Sequence, residues 1–220
     1  MPTIVIASPK GGAGKSTAAV VLATELAAAG AEVTLLDCDP NRSVTLWSER
    51  GPVPRRITVL SGVSEAEIVR VIKARDRDGQ VVVVDLEGVA SRLVSRAISQ
   101  ADLVLTPMRA TTLDATIGVR ALALVAEEEE ALGRRIPQAV VFTMTRAIRS
   151  SQHRGIEASL RAQGVDLIEP ALMERAAFSA LFEFGGDLRS IPAQGRMEGA
   201  IENAREFARA VHARLVAVPA

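Results

Sequence analysis

Nine residues near the start of the chain, Pro9-Lys10-Gly11-Gly12-Ala13-Gly14-Lys15-Ser16-Thr17, have the types and spacing to hold a polyphosphate. Gly11, Gly12 and Gly14 admit backbone angles closed to other residues. Consecutive amides can therefore curve around phosphate oxygens at the positive end of a following helix. Lys15 adds a mobile ammonium for β- and γ-phosphates, and Ser16 a hydroxyl for Mg2+. Carboxylates that could complete such a site stand after two apolar runs, as Asp37-Cys38-Asp39-Pro40 after residues 33–36 and as Asp85 after residues 81–84. Alternate residues of a strand share a face, so Asp37 and Asp39 can both be directed toward phosphates if extended geometry continues, as Pro40 favours. The competing reading of that pair is a helix N-cap or a turn.

These residues need a scaffold that gathers strand ends, and the chain supplies its pattern. Candidate strands at 3–7, 32–37, 57–60, 81–85, 103–106 and 139–143 alternate with helical patterns at 17–29, 65–74, 92–99, 112–132 and 151–162. The runs 81–84 and 103–105 look buried on both faces, so a mostly parallel, twisted sheet with helices on both sides is expected. A tail helix at about 196–215 keeps Met197, Ile201, Ala204, Ala208, Val211 and Leu215 on one face, suited to packing on the sheet. No linker, repeat or low-complexity tract divides the chain, so residues 1–220 are expected to form a single α/β domain.

Net charge is 0, so any nucleic-acid contact must come from a local patch rather than the overall field. With a single cysteine, Cys38, an internal disulfide is excluded. No charged leader with an apolar core opens the sequence and no apolar run reaches bilayer length, so a cytoplasmic protein is the expected reading. Only three lysines stand against 23 arginines, and two of the three lie in the loop, where a compact ammonium suits phosphate better than a planar fork.

The loop departs from G-x-x-x-x-G-K-[ST] in having Pro9 at the first glycine, and a second lysine, Lys10, follows it. A K-G-G-x-G-K-[ST]-T run resembles the deviant Walker A loop of the ParA/MinD family of P-loop NTPases. That resemblance implies that Lys10 crosses a dimer interface to the partner subunit's nucleotide. The D-x-D-P segment is similar to the family's second signature. By that likeness Asp39 positions the attacking water, Asp37 and Asp85 hold Mg2+ together with Ser16, and Lys10, Lys15 and Asp39 form the catalytic set. Nucleotide contacts are expected from Lys10, Gly11, Gly12, Ala13, Gly14, Lys15, Ser16 and Thr17, with Thr145 and Arg146 near the base. The strand and helix start around Pro107 and Leu113-Asp114, and the segment 174–179 preceding Gly185-Gly186, extend the likeness over most of the chain. It departs after Asp85, where 86–91 reads L-E-G-V-A-S. There Gly88 is a candidate for a phosphate-sensing turn, and Glu87 is read as a surface residue, with a second catalytic carboxylate as the alternative. With no helix-turn-helix extension before Met1, the chain is most similar to small ParF-type partition ATPases and VirC-type proteins of DNA transfer.

The resemblance implies a Mg2+-dependent ATP hydrolase that forms an ATP-sandwich homodimer, binds DNA non-specifically and answers to a ParB-like or centromere-binding activator, in a nucleoid-associated location. Residues 134–161 carry Arg134, Arg135, Arg146, Arg149, Arg154 and Arg161 against one acid, Glu157, and Arg146, Arg149 and Arg154 are the candidates for DNA phosphate contacts. An ordinary solvated helix face is the alternative for them. Two other functions stay open. A MinD-like membrane-surface regulator would use the tail helix, but Glu198, Glu202 and Glu206 offset its arginines and its apolar face is rich in alanine, so stable membrane association is not expected. A small ATP-dependent ligase would need a second-substrate pocket.

Overall fold

The computed structural model describes residues 2–75, 79–88, 91–193 and 195–216. Seven strands form one sheet in the order β3-β2-β4-β1-β5-β6-β7: β1 Thr3–Ile6, β2 Glu32–Cys38, β3 Ile57–Ser61, β4 Gln80–Leu86, β5 Leu103–Met108, β6 Gln138–Phe142 and β7 Leu167–Ile168. Every pairing among them is parallel. The apolar runs explain this directly. Ile4, Ile6 and Val83 face one core while Val5, Val82 and Val84 face the other, so β1 and β4 have no polar face to give to water.

The first core holds α1 (Lys15–Ala28), α2 (Ser43–Arg50), α7 (Ala176–Phe184) and α8 (Met197–Val216). The second holds α3 (Ile68–Lys73), α4 (Arg92–Ile98) and α5 (Thr112–Leu132), and α6 (Ser151–Ala162) packs a smaller cluster on β6 and β7. Helix α1 is covered on nearly all sides because α8 lays Ala204, Phe207, Ala208 and Val211 over it. Its one buried acid, Glu25, is met by Arg189 through two hydrogen bonds of 2.7 and 2.9 Å. The tail's apolar face is thus spent inside the fold. Among the described residues no helix is long and apolar enough to cross a membrane.

Short elements escaped the sequence reading: α2, β7 and α7 were not among the expected ones. Helix α2 is anchored from outside, by Trp47 fully buried with its Nε1 donating to the Gly186 carbonyl at 3.0 Å. The parallel register then does the positioning. Asp37 and Asp85 stand side by side on β2 and β4, Ile6 pairs with Asp85, and the loop after β1 emerges beside Asp85, on the side away from β2, at the carboxyl end of the sheet.

Candidate nucleotide-binding site

The chain leaves β1 through residues 7–14 and enters α1 at Lys15. Gly12 and Gly14 adopt φ of +72° and +87°, a left-handed region unfavourable to other side chains, and Gly14 caps the helix. A Cβ at Gly14 would also meet the Thr143 side chain at 3.3 Å. Thr143 Oγ1 donates to the Ala13 carbonyl at 2.8 Å, so the end of β6 pins the loop from beneath. A Cβ at Gly88 would come within 3.4 Å of the Gly11 nitrogen, so this glycine lets the chain after β4 pass close to the loop. The suggested sensing segment continues through Val89 and Ala90, which lie outside the described residues. Glu87 is half-buried at an apolar recess behind Pro9.

The two loop lysines face different carboxylates. Lys15 is nearly buried, with its Nζ 3.9 Å from Asp39 Oδ2. Lys10 turns the other way and ion-pairs with Asp114 in the first turn of α5. The acidic residues likewise divide their work. Asp37 Oδ2 accepts from the amide and hydroxyl of Thr45 at 2.7 and 2.6 Å, so this carboxylate secures the first turn of α2. Its Oδ1 accepts a longer bond, 3.3 Å, from the Asp39 amide. Asp39 Oδ1 accepts from the amide and side chain of Asn41, leaving Oδ2 on the Lys15 side.

Asp85 has no accessible surface, and neither of its oxygens has a hydrogen-bond partner among the described residues. Burial pushes its pKa up to about 7; Asp37 and Asp39 add to the rise, while the nearby Ser16 hydroxyl and Lys15 oppose it. The Ser16 hydroxyl favours the charged form without reaching hydrogen-bond geometry. A carboxylate buried with both oxygens free is costly unless a cation completes it, so these residues fit Mg2+. Bound Mg2+ would supply Lewis-acid charge to phosphate oxygens.

A cleft opens over Gly11, Gly12, Lys15, Ser16 and Asp39, with Asn41, Ser43 and Phe182 also lining it. A second cleft continues past Gly14 and Thr17 to Met144, Met173 and Phe178. The phosphate end is thus polar and the adjoining end apolar, the pattern of a nucleotide with its base. Thr145 and Arg146 do not line this second cleft. Thr145 is buried in a bridge to Met173, and Arg146 is exposed.

A family model for the VirC1 protein matches residues 1–191. The chain belongs to the VirC1 family, of ParA/MinD type. A ParA protein from Rhizobium radiobacter is 63% identical over 217 residues, 98% of either chain. The virC1 protein of Rhizobium rhizogenes is 28% identical over 190 residues, covering 84% of this chain and 82% of its own. The ATP complex of a Cyanothece McdA variant overlays with a TM-score of 0.75 at 19% identity, covering 100% of this chain and 98% of that one, a likeness of fold.

In this VirC1-family chain the arginines counted between residues 134 and 161 do not act as one patch. Arg149 pairs with Glu157 at 2.7 Å and with Glu169 at 3.3 Å, and Arg161 reaches the same two acids. Arg134 donates to the carbonyls of Ser99 and Ala101. Arg146 and Arg154 remain exposed without an ion pair among the described residues. Glu169, outside the counted window, is the residue that the linear charge count missed.

Proposed function

We propose that the chain is a ParA-type, Mg2+-dependent ATPase that dimerises around two ATP molecules, binds DNA non-specifically in that state and hydrolyses ATP slowly to position a DNA or protein cargo. The observation that carries this reading is the opposite aim of the two loop lysines. Lys15 faces inward among Asp39 and Asp85, where it serves its own subunit's phosphates. Lys10 lies on the outer side, one third exposed, where a second copy's nucleotide can be reached. Leu113, Ile148 and Met144 support a partner on this end of the sheet: they follow β5 and β6 and are 62%, 88% and 38% exposed.

In this mechanism the loop amides and Lys15 bind and orient the phosphates, Asp39 holds the attacking water, and Asp37 and Asp85 with Ser16 would receive Mg2+. Asp39, 3.9 Å from the Lys15 ammonium, orients the attacking water in this reading, and turnover is slow. The name ParA carried by the 63%-identical relative supports a partition role, with a ParB-like or centromere-binding activator and a nucleoid location in the cytoplasm. A membrane-surface role has less support, as α8 buries its apolar stripe against α1.

Sedimentation with and without Mg-ATP and random duplex DNA tests this. ATP should double the mass, and DNA should co-sediment only with ATP; vesicle binding instead would favour the membrane role, and a persistent monomer the ligase. Asp39→Ala should keep the ATP dimer while lowering phosphate release by about a hundredfold. A rate within about threefold of wild type would remove Asp39 from the reaction. Reversing Arg146 and Arg154 together to glutamate should weaken retention on random duplex roughly tenfold and flatten its salt dependence, since each lost phosphate contact lowers the slope. Unchanged retention would move the DNA surface elsewhere.

A further inference from the structure

We propose that Arg109 is the replacement counter-ion for Asp114, a positioning residue that takes over this carboxylate when Lys10 leaves it. The role rests on the sandwich reading above, because that reading requires Lys10 to depart.

Asp114 is 3% exposed. One of its oxygens is held by Lys10 and the other accepts from the Thr111 hydroxyl at 2.8 Å, while its own amide donates back to Thr111 at 3.1 Å. A first-turn position on α5 favours negative charge modestly. That is too little to offset a buried carboxylate stripped of its cation, where removal of one partner from a buried pair is the costly case. If nothing replaced Lys10, its release would oppose dimerisation.

The residues around the loop offer one candidate. Lys15 is occupied with Asp39. Arg120 lies on the far side of the recess shared with Glu87. Arg109 is exposed, sits on the short connection between β5 and α5, five positions before Asp114 in the first turn of that helix, and its guanidinium makes no hydrogen bond or ion pair among the described residues. Its Nη2 lies 3.8 Å from where a Cβ on Gly12 would stand, beside the stretch of loop that carries Lys10. An unpaired cation therefore stands beside the loop that carries Lys10, five positions before Asp114, and its long flexible stem and planar fork suit it to take up a carboxylate.

Two measurements decide the matter. In the nucleotide-free monomer, Lys10→Ala removes the resident cation permanently, so Arg109→Ala should lower the melting temperature about 4 °C further in that background than in the wild type. Additive effects of the two substitutions would overturn the proposal, and this comparison does not depend on dimerisation. With Mg-ATP, Arg109→Ala should weaken the dimer roughly tenfold while leaving nucleotide affinity of the monomer unchanged, and Arg109→Lys should stay within about threefold of wild type. Equal dimerisation of Arg109→Ala and wild type would sink the hand-over. A wild type that never dimerises with ATP would instead reject the sandwich, with the melting comparison still deciding whether Arg109 serves Asp114.

Discussion

Replacing Lys15 with alanine is expected to weaken Mg-ATP binding by about a hundredfold or more, since one charge-assisted contact to a phosphate contributes up to about 3 kcal/mol. The structure adds a second cost. Lys15 is the cation beside three carboxylates: its Nζ is 3.9 Å from Asp39, its charge lowers the pKa of Asp85, and Asp37 stands next to Asp85 in the sheet. Without it, an incoming triphosphate meets three acids with no ammonium among them. Asp85 would also move further above the usual carboxylate range, because burial and the two neighbouring aspartates would act with less opposition. Lys15→Arg should not rescue binding: the side chain is 6% exposed, and a planar fork does not fit where a compact ammonium does. Titration with a fluorescent ATP analogue checks this, and an affinity within a few-fold of wild type would mean that the loop does not hold the phosphates.

What could be read before any coordinates follows from how local the physics is. The phosphate loop is legible because its geometry is written in adjacent residues: glycines that must turn, a lysine, and a helix start behind them. The buried strands β1 and β4 are legible for a similar reason, as short runs of Val and Ile admit no solvated face. The misses are long-range. Helix α2 is eight residues with β-branched Val44 and Thr45, and it is secured by Asp37 from the preceding strand and by Trp47 reaching Gly186. Strand β7 has two residues, too few for any period. The tail helix is legible because one apolar stripe repeats over twenty residues. A charge count along the chain cannot show that Arg149 is engaged, because the fold sets it against Glu157, eight positions on, and Glu169, twenty positions on. The dual use of Asp37, which secures a helix while standing beside Asp85, illustrates the same limit. Spacing put it near the site, but only its hydrogen bonds reveal that Thr45 already engages one of its oxygens twice.

Lys10→Ala is expected to separate binding from turnover. In the monomer Lys10 points away from its own phosphate cleft and is held by Asp114, 104 positions along the chain, so its loss should leave nucleotide affinity within about threefold of wild type. The ATP-dependent dimer, in contrast, should disappear, and phosphate release should fall by about a hundredfold or more, since a cation supplied in trans to a transferring phosphoryl group carries effects of that size or larger. The contrast with Lys15→Ala is the informative part. Two lysines five positions apart on one loop would give opposite phenotypes, one losing the nucleotide and the other keeping it without consequence. A polyphosphate held by a single subunit cannot produce that split, because both ammonium groups would then contribute to the same affinity. Sedimentation velocity with Mg-ATP, run beside a phosphate-release assay, reads both quantities on one preparation. Normal turnover in the Lys10 variant would show that the ion pair with Asp114 is its whole role, that the loop works within one chain, and that association is not coupled to the nucleotide.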